Sequence, residues 1–486
     1  MERIPILSLY SDLLLIFSQK SFYMPFPLAQ YIAWFEENEE KIQQDFFHFL
    51  RFSSISTDPL HHKECLKTAD WLSSYLRDIG MKTELLKSPG LPVVFADSGT
   101  KGASIPSVLL YHHYDVQPVD PVDLWTSDPF SPRLDGGCIF ARGASDNKGQ
   151  CFITLTALKA MGQLTRDLPL QIKLFIEGEE ESGGAGTYVV LKEKKDLLKA
   201  DFLCVVDFDL AAPDQPSIAM GYRGLAAFEI ECINAQTDMH SGVHGGIALN
   251  PIHILTDIIA KLRDETGKIT IPHFYDGIDP LSAEEKEKLD LSFDEKKYRE
   301  EFGVGAFCQE KGVSLREANW LRPTIEVNGL WGGYTGAGFK TVIPAKAYAK
   351  ISCRLVPGQD PDKIEKHFTE FLVQNTPKGA EIRIKWHHGA KAYRASFDSP
   401  LVAAVSKSME DVFQKPCHYT LCGGSVPIVK DLAEAVGGDV ALFGFALDTD
   451  NIHAPNEHFR WECFKKGFLT IARLLWELAE QGKKKP

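Results

Sequence analysis

The spacing of apolar positions changes several times along the chain, and each spacing predicts its own kind of element. Between Pro27 and Phe52 the residues Leu28, Ile32, Phe35, Ile42, Phe46, Phe47 and Leu50 recur at helical intervals with charges between them. This predicts an amphipathic helix. A second helix is predicted over Lys67–Ile79. Ser107–Tyr111 is instead a short apolar run, the mark of a buried strand, and it delivers His112, His113, Tyr114 and Asp115. Asp135-Gly136-Gly137 is a hairpin-type turn ahead of a short strand over Ile139–Arg142. A helix from about Lys148 to Met161 follows, then a strand over Leu170–Ile176 and a helix over Thr187–Leu198. The next strand, Phe202–Val206, stops at Asp207. Strands alternating with helices predict an α/β fold: a mainly parallel mixed sheet with helices on both faces. In such sheets functional groups collect at the carboxyl ends of the strands.

Near Gly221 the pattern changes. Phe228–Cys232 and Tyr348–Arg354 alternate with period two, as half-exposed antiparallel strands do. Asp360 is a good N-cap with Pro361 at the first helical position, ahead of Ile364, Phe368 and Phe371 on one face. Ala380–Trp386 alternates again. Residues 221–390 are therefore expected to form a separate α+β domain, with a charged, loop-rich elaboration over 264–319. The α/β pattern then returns with a helix over Pro400–Phe413, a strand over Val440–Phe445 and a closing helix over Trp461–Gln481. The first domain is thus expected in two pieces, 24–220 and 391–486, and residues 1–23 as an N-terminal extension.

Composition narrows the function classes. With 44% hydrophobic residues in 486, the chain has ample material for more than one core. A net charge of −13 argues against nucleic-acid partners, which need basic patches. The ten cysteines are scattered singly with no CxxC pair, as expected of reduced thiols in a cytoplasmic protein. The apolar stretch Ile6–Phe17 is interrupted by Ser8, Tyr10, Ser11 and Asp12 and is too short to span a bilayer, so no membrane partner is expected.

Three consecutive glutamates, Glu179, Glu180 and Glu181, crowd the end of the strand over Leu170–Ile176. Like charges this close repel unless a cation neutralises them or a proton is shared. An isolated run of this kind is more often a solvated acidic loop. Its company changes the balance. His113 and Asp115 lie two apart at a strand end, so both side chains can point one way. Asp146 stands where a glycine-containing turn meets a helix, Asp207 ends a strand with Asp209 as a rival, and His453 lies in a polar loop. Each alone has a structural reading, Asp146 as an N-cap above all. Together they offer nitrogen and oxygen ligands that suit zinc, cobalt or manganese better than calcium or magnesium.

Seven segments carry a resemblance: His113-Tyr-Asp-Val-Gln-Pro118, Trp125-Thr-Ser-Asp-Pro-Phe130, Ala141-Arg-Gly-Ala-Ser-Asp-Asn-Lys-Gly149, Glu177-Gly-Glu-Glu-Glu-Ser-Gly183, Asp238-Met-His-Ser-Gly242, Cys353-Arg-Leu-Val-Pro357 and Gly423-Gly-Ser-Val-Pro427. In this order they resemble the carnosinase/aminoacylase family of two-metal peptidases, and most of all its cytosolic nonspecific dipeptidase branch. The resemblance implies two divalent ions per chain, zinc first, with manganese or cobalt also fitting. It implies that Asp146 bridges them, that His113 and Asp207 complete one, and that Glu181 and His453 complete the other. Asp207 takes precedence over Asp209 because it keeps the family's spacing to Ala212-Pro213. Asp115 would orient His113, and Glu180 would be the general base for a metal-bridging water. The Asp146–Asn147 peptide is similar to one that is cis in the family. The inserted domain would be a lid through which two copies form a homodimer. His240 would reach a neighbouring active site and stabilise the oxyanion, Arg354 would hold the substrate's C-terminal carboxylate, and Thr341 and Ser425 would hydrogen-bond the substrate.

Three positions depart from that family. His112 stands where glycine is usual, which would tighten the rim or add a competing imidazole. Asn147 replaces a frequent aspartate, and Cys422 precedes the Gly423-Gly-Ser motif. The implied activity is hydrolysis of the peptide bond in dipeptides or small peptides with a free C-terminus. The alternative is a deacylase of N-acyl amino acids or of acetylated or succinylated diamino acids. The elaboration over 264–319 and the Asp-Val-Gln-Pro and Trp-Thr-Ser-Asp-Pro-Phe segments favour the dipeptidase. A binding protein on an inactive fold is disfavoured, because all five ligands and Glu180 are present.

Overall fold

The computed structural model describes residues 26–99, 102, 105–165, 168–307, 310–424, 426 and 428–482, so the expected extension and Ser425 lie outside the described residues. Its frame is a nine-stranded mixed sheet. The centre is parallel: Ser107–His113 pairs with Gln171–Glu177 on one side and Phe202–Val206 on the other, and Phe202–Val206 pairs with Asp439–Phe443. The flanks include antiparallel pairs, with Lys82–Leu86 and Val93–Asp97 at one edge and Ser217–Tyr222 with Tyr393–Arg394 at the other. His418–Cys422 adds a parallel pairing to Ser217–Tyr222.

The central strands are apolar on both sides because both faces are covered. Val108, Leu110, Leu174, Cys204, Val206 and Phe443 point into a core with the helices Leu28–Leu50, Lys148–Leu164, Pro400–Phe413 and Trp461–Gly482. The alternate residues Leu109, Tyr111, Phe175, Leu203, Val205 and Leu442 meet the helices Ala185–Glu193 and Ile428–Val436. Phe152 lies at the heart of the first core, stacked on Phe46 at 5.3 Å. Truncation of such a buried ring to alanine typically costs about 3–5 kcal/mol.

A second, four-stranded sheet is wholly antiparallel, in the order Thr324–Gly332, Lys346–Leu355, Gly224–Ile233, Glu381–Ala390. Burial alternates residue by residue along Gly224–Ile233 and Lys346–Leu355, so one face is wet. The other face packs on the helices Pro251–Ala260 and Pro361–Asn375. Asn250 and Asp360 cap these helices, each ahead of a proline.

The sequence pattern missed the hairpin of Lys82–Leu86 and Val93–Asp97. Its outer strand is mostly exposed at the sheet edge, so it carries little apolar signal. The strand predicted to end at Tyr111 runs on through His113. The helix predicted over Thr187–Leu198 breaks at Lys194 into Ala185–Glu193 and Lys195–Leu198. No described helix is long and apolar enough to cross a membrane.

Candidate metal centre

Asp146 is placed by a turn that only certain residues allow. Gly143 has φ +83°, a left-handed conformation that favours glycine. A Cβ at Gly149 would lie 1.9 Å from the carbonyl oxygen of Ala144, so the turn and the helix meet only through glycine. The Glu457 carboxylate closes the turn. It accepts hydrogen bonds from the backbone N–H groups of Gly143 at 2.9 Å and of Ser145 and Asp146 at 3.0 Å, and from Arg142 Nη1 at 2.7 Å. The Asp146–Asn147 peptide is cis.

The Asp146 carboxylate then faces two imidazoles. Oδ1 lies 3.0 Å from His113 Nε2, and Oδ2 lies 2.9 Å from His453 Nε2. Asp207 Oδ2 is 3.8 Å from His113 Nε2, and Glu181 Oε1 is 3.4 Å from His453 Nε2. Two groups result, His113–Asp146–Asp207 and Asp146–Glu181–His453, each with its ligand atoms within 4.8 Å of one another and with Asp146 common to both. Asp209, the rival of Asp207, belongs to neither group.

Neighbouring polar groups fix the aim of these side chains. His113 Nδ1 faces the Asp115 carbonyl oxygen at 3.1 Å and the Asp115 carboxylate at 3.3 Å, which leaves Nε2 directed at the acidic cluster. Asp115 Oδ2 is held by Ser56 Oγ at 2.6 Å and by the backbone N–H of Glu181 at 3.0 Å. Gln117 Nε2 donates to Glu181 Oε2 at 2.6 Å. His112 points the other way, as alternation along a strand requires, and contacts Asn147 and Thr154. The competing imidazole expected at the rim is therefore absent from it.

Charge in this pocket is unbalanced. Burial lifts Glu180 well above the usual carboxylate range; His113 opposes that shift, and Glu181, Asp207 and Asp146 add to it. Burial and Asp146 raise Glu181, and burial raises Asp207 despite His113. Burial would lower His113, but Asp207, Asp115 and Asp146 hold it well above its ordinary value. Hydrogen bonding to Asp146 and Glu181 pushes His453 up to about 10. Glu181 Oε1 and Asp115 Oδ1 are buried without a well-formed hydrogen bond. A donor set of two imidazoles and three carboxylates, with an orphaned buried oxygen and too little positive charge, fits divalent cations.

The three glutamates divide. Glu180 and Glu181 stand at the cluster, whereas Glu179 turns away and is wedged between Gly90 and Gly186, where an added Cβ would meet its carboxylate. The residues expected to touch substrate are placed differently. His240 is exposed, its Nδ1 accepting from Gly242 N at 3.0 Å. Thr341 is exposed and offers its carbonyl oxygen to Ser241 N at 3.1 Å. Among the described residues no hydrogen bond or ion pair links His240 or Thr341 to the five candidate ligands. Arg354, on the small sheet, lines a cavity of about 1160 Å³ together with Asp209, Arg223, Gly423 and Gly424. That cavity adjoins the loop after Asp207 rather than enclosing the ligands. Sequence reasoning missed Glu457, Ser56 and Gln117. Glu457 lies four residues after His453, and only its spacing within that loop could have marked it.

The profile of peptidase family M20/M25/M40 matches residues 109–477. The chain is 29% identical over 481 residues to a Cys-Gly metallodipeptidase, DUG1, of Candida albicans, covering 94% of this chain and 99% of that one. It is 28% identical over 500 residues to the human Beta-Ala-His dipeptidase, covering 97% and 98%. Among solved structures, human carnosine dipeptidase 1 matches with a TM-score of 0.80 at 27% identity, covering 94% of this chain and 99% of that one. An M20 family metallo-carboxypeptidase, Sso-CP2 from Sulfolobus solfataricus, matches with a TM-score of 0.82 at 30% identity, covering 90% and 99%. With the match spanning most of the chain and the paired ligand groups inside it, this protein belongs to peptidase family M20/M25/M40 and is a hydrolase of amide bonds.

Proposed function

We propose that this protein is a metal-dependent dipeptidase that cleaves the bond beside a C-terminal residue whose carboxylate is free. The observation that carries the reading is the pair of ligand groups joined through Asp146, with Glu180 adjoining Glu181 beside them. His113, Asp146 and Asp207 would hold one divalent ion, and Asp146, Glu181 and His453 the other, zinc fitting the donors best. When bound, such ions supply Lewis-acid polarisation of the scissile carbonyl and of water.

The chain's own groups do the rest. Glu180, half-buried beside other carboxylates, takes a proton from the attacking water as the new C–O bond forms. It gives that proton to the leaving nitrogen as the C–N bond breaks. Asp115 keeps the His113 ring in the orientation that presents Nε2. His240 donates to the oxyanion when brought to it, and Arg354 receives the substrate carboxylate in a two-pronged contact. Thr341 and Ser425 add hydrogen bonds to the substrate.

The small sheet serves as lid and as the face of a homodimer. Support for that lies in exposed Val243, Ile247, Leu249, Trp331, Tyr334 and Phe339, which flank His240 and Thr341 in the sequence. Such apolar exposure favours a second copy as partner. The nine described cysteines, none in a disulfide, support a cytoplasmic location.

The names of the relatives, Cys-Gly and Beta-Ala-His dipeptidases and a carboxypeptidase, favour peptides over N-acyl amino acids. A paired assay with added zinc or manganese tests this: dipeptides, tripeptides and N-acetyl amino acids at equal concentration. Turnover of dipeptides is expected to lead. Rapid deacetylation without peptide cleavage would install the deacylase in its place.

A further inference from the structure

The buried polar chain behind Asp207 starts in a helix and ends at a candidate ligand. Thr154, on the helix Lys148–Leu164, places Oγ1 2.9 Å from His112 Nε2. His112 Nδ1 lies 3.1 Å from Asn147 Oδ1. Asn147 Nδ2 donates to the Val206 carbonyl oxygen at 2.9 Å and to Asp207 Oδ1 at 2.5 Å. Thr154, His112 and Asn147 are all wholly buried.

The directions of these bonds are forced. The two acceptors beside Asn147 Nδ2 are oxygens, so the amide nitrogen must face them and the amide oxygen must face His112. His112 Nδ1 therefore carries the hydrogen. In a neutral imidazole Nε2 is then an acceptor, and the Thr154 hydroxyl supplies its donor. Every group has a partner of the right kind, and the relay carries no net charge. Turning any member over would oppose two acceptors or two donors in a dry interior, which costs about 1–3 kcal/mol per unsatisfied group.

We propose that His112 is a positioning residue for Asp207, acting through the Asn147 amide. The amide occupies Oδ1 of Asp207, so Oδ2 is the oxygen left to face His113 and the ion. His112 and Asn147 form a matched neutral pair. An aspartate at 147 would still accept from His112 but would set a second carboxylate against Asp207 Oδ1 in place of the amide donor. This inference rests on the metal-site reading above and adds to it a control on one of its two ions.

The test uses the full chain in four forms: wild type, His112→Ala, His112→Gln and Asn147→Asp. Zinc content is measured by mass spectrometry during competition with a graded chelator. The absorption spectrum of the cobalt-loaded protein and the thermal midpoint of the metal-free protein are recorded alongside. Wild type is expected to hold two ions per chain. His112→Ala should lose one of them at about 10–100-fold lower chelator strength, the usual effect of removing a group that orients a ligand. Its cobalt spectrum should change for one ion only. His112→Gln, which can still donate to the Asn147 oxygen, should recover most of the affinity. Asn147→Asp should weaken the same ion.

Two results overturn the proposal. If His112→Ala keeps two ions with wild-type affinity and spectrum while only its metal-free midpoint falls, His112 is a packing residue. If wild type itself binds no zinc, the metal-site reading fails first and this inference with it.

Discussion

The two sheets treat their functional side chains in opposite ways. At the large sheet four of the five candidate ligands, His113, Asp146, Glu181 and Asp207, are held by neighbouring groups before any ion or substrate arrives, and His453 alone of the five is exposed. Asp146 sits on a turn tied by three backbone hydrogen bonds to Glu457, and His113 is braced by Asp115, itself held by Ser56 and Glu181. In the inserted segment that carries the small sheet, His240 and Thr341 lie on or beside a separate two-stranded pairing of Met239–His240 with Val342–Ile343; both are exposed, and that pairing is fixed mainly by its own backbone. A polar group with buried partners is ready in advance; one in water acquires its geometry only from what closes over it. On the proposed reading the large sheet would carry the chemistry, and the inserted domain would carry the contacts made when the cleft is filled.

The largest effect should come from Glu180→Gln, which removes the proposed proton carrier while keeping the shape of the side chain. Turnover is expected to fall by about 10²–10⁴-fold. The zinc content should stay at two ions per chain, because Glu180 belongs to neither ligand group. Near-normal turnover would remove Glu180 from its role, and loss of an ion would make it a ligand instead.

Glu457→Gln should come next and be felt in stability as well as activity. The Arg142–Glu457 pair is wholly buried at 2.7 Å, and neutralising one partner leaves the other charge without compensation. Breaking such a pair costs about 3–5 kcal/mol. A fall in thermal midpoint together with weaker zinc binding is expected. An unchanged midpoint would mean that the turn holds its shape without this carboxylate, and the contrast between the two sheets would lose its main support.

How much of this was legible in the sequence depended on what each feature needs to show itself. Phe202–Val206 and Pro400–Phe413 were placed to the residue, because continuous burial and a serine-proline cap leave a plain local mark. The five candidate ligands come from motifs: His113, Glu181 and Asp207 follow predicted strands, Asp146 precedes a predicted helix, and His453 lies in a polar loop. Glu457 left no such mark. It acts on a turn more than 310 residues away along the chain, and a carboxylate in a polar loop looks solvated until the fold buries it. His112 was misjudged for a related reason. Its neighbour faces the cluster, and ending the strand at Tyr111 hid the alternation that turns His112 away.

His240→Ala sharpens the comparison from the other side. The residue is exposed and contributes little to packing, so the thermal midpoint should stay where it is. If His240 stabilises the oxyanion, kcat should drop by about 10²–10³-fold, the usual effect of losing one such donor. Zinc content should be unaffected. An unchanged kcat would leave His240 as the cap of the short helix Ser241–His244, a role it already fills through Gly242.

Arg354→Lys should give the smallest change and the most specific one. Arg354 lies opposite Thr324 and Leu225 in the small sheet, and burial pulls its guanidinium below the usual value without discharging it. Lysine keeps the charge but not the flat two-pronged geometry that matches a carboxylate. One charge-assisted hydrogen bond is worth about 1.5–3 kcal/mol, so KM for a dipeptide should rise by about 10–100-fold while kcat moves less. The same substrate with its C-terminus amidated should already bind poorly to wild type and lose little more in the variant. Equal losses for the acid and the amide would show that Arg354 supports the sheet and not the substrate, and the small sheet would then have to bind the carboxylate through another residue of the same cavity, Arg223 first among them.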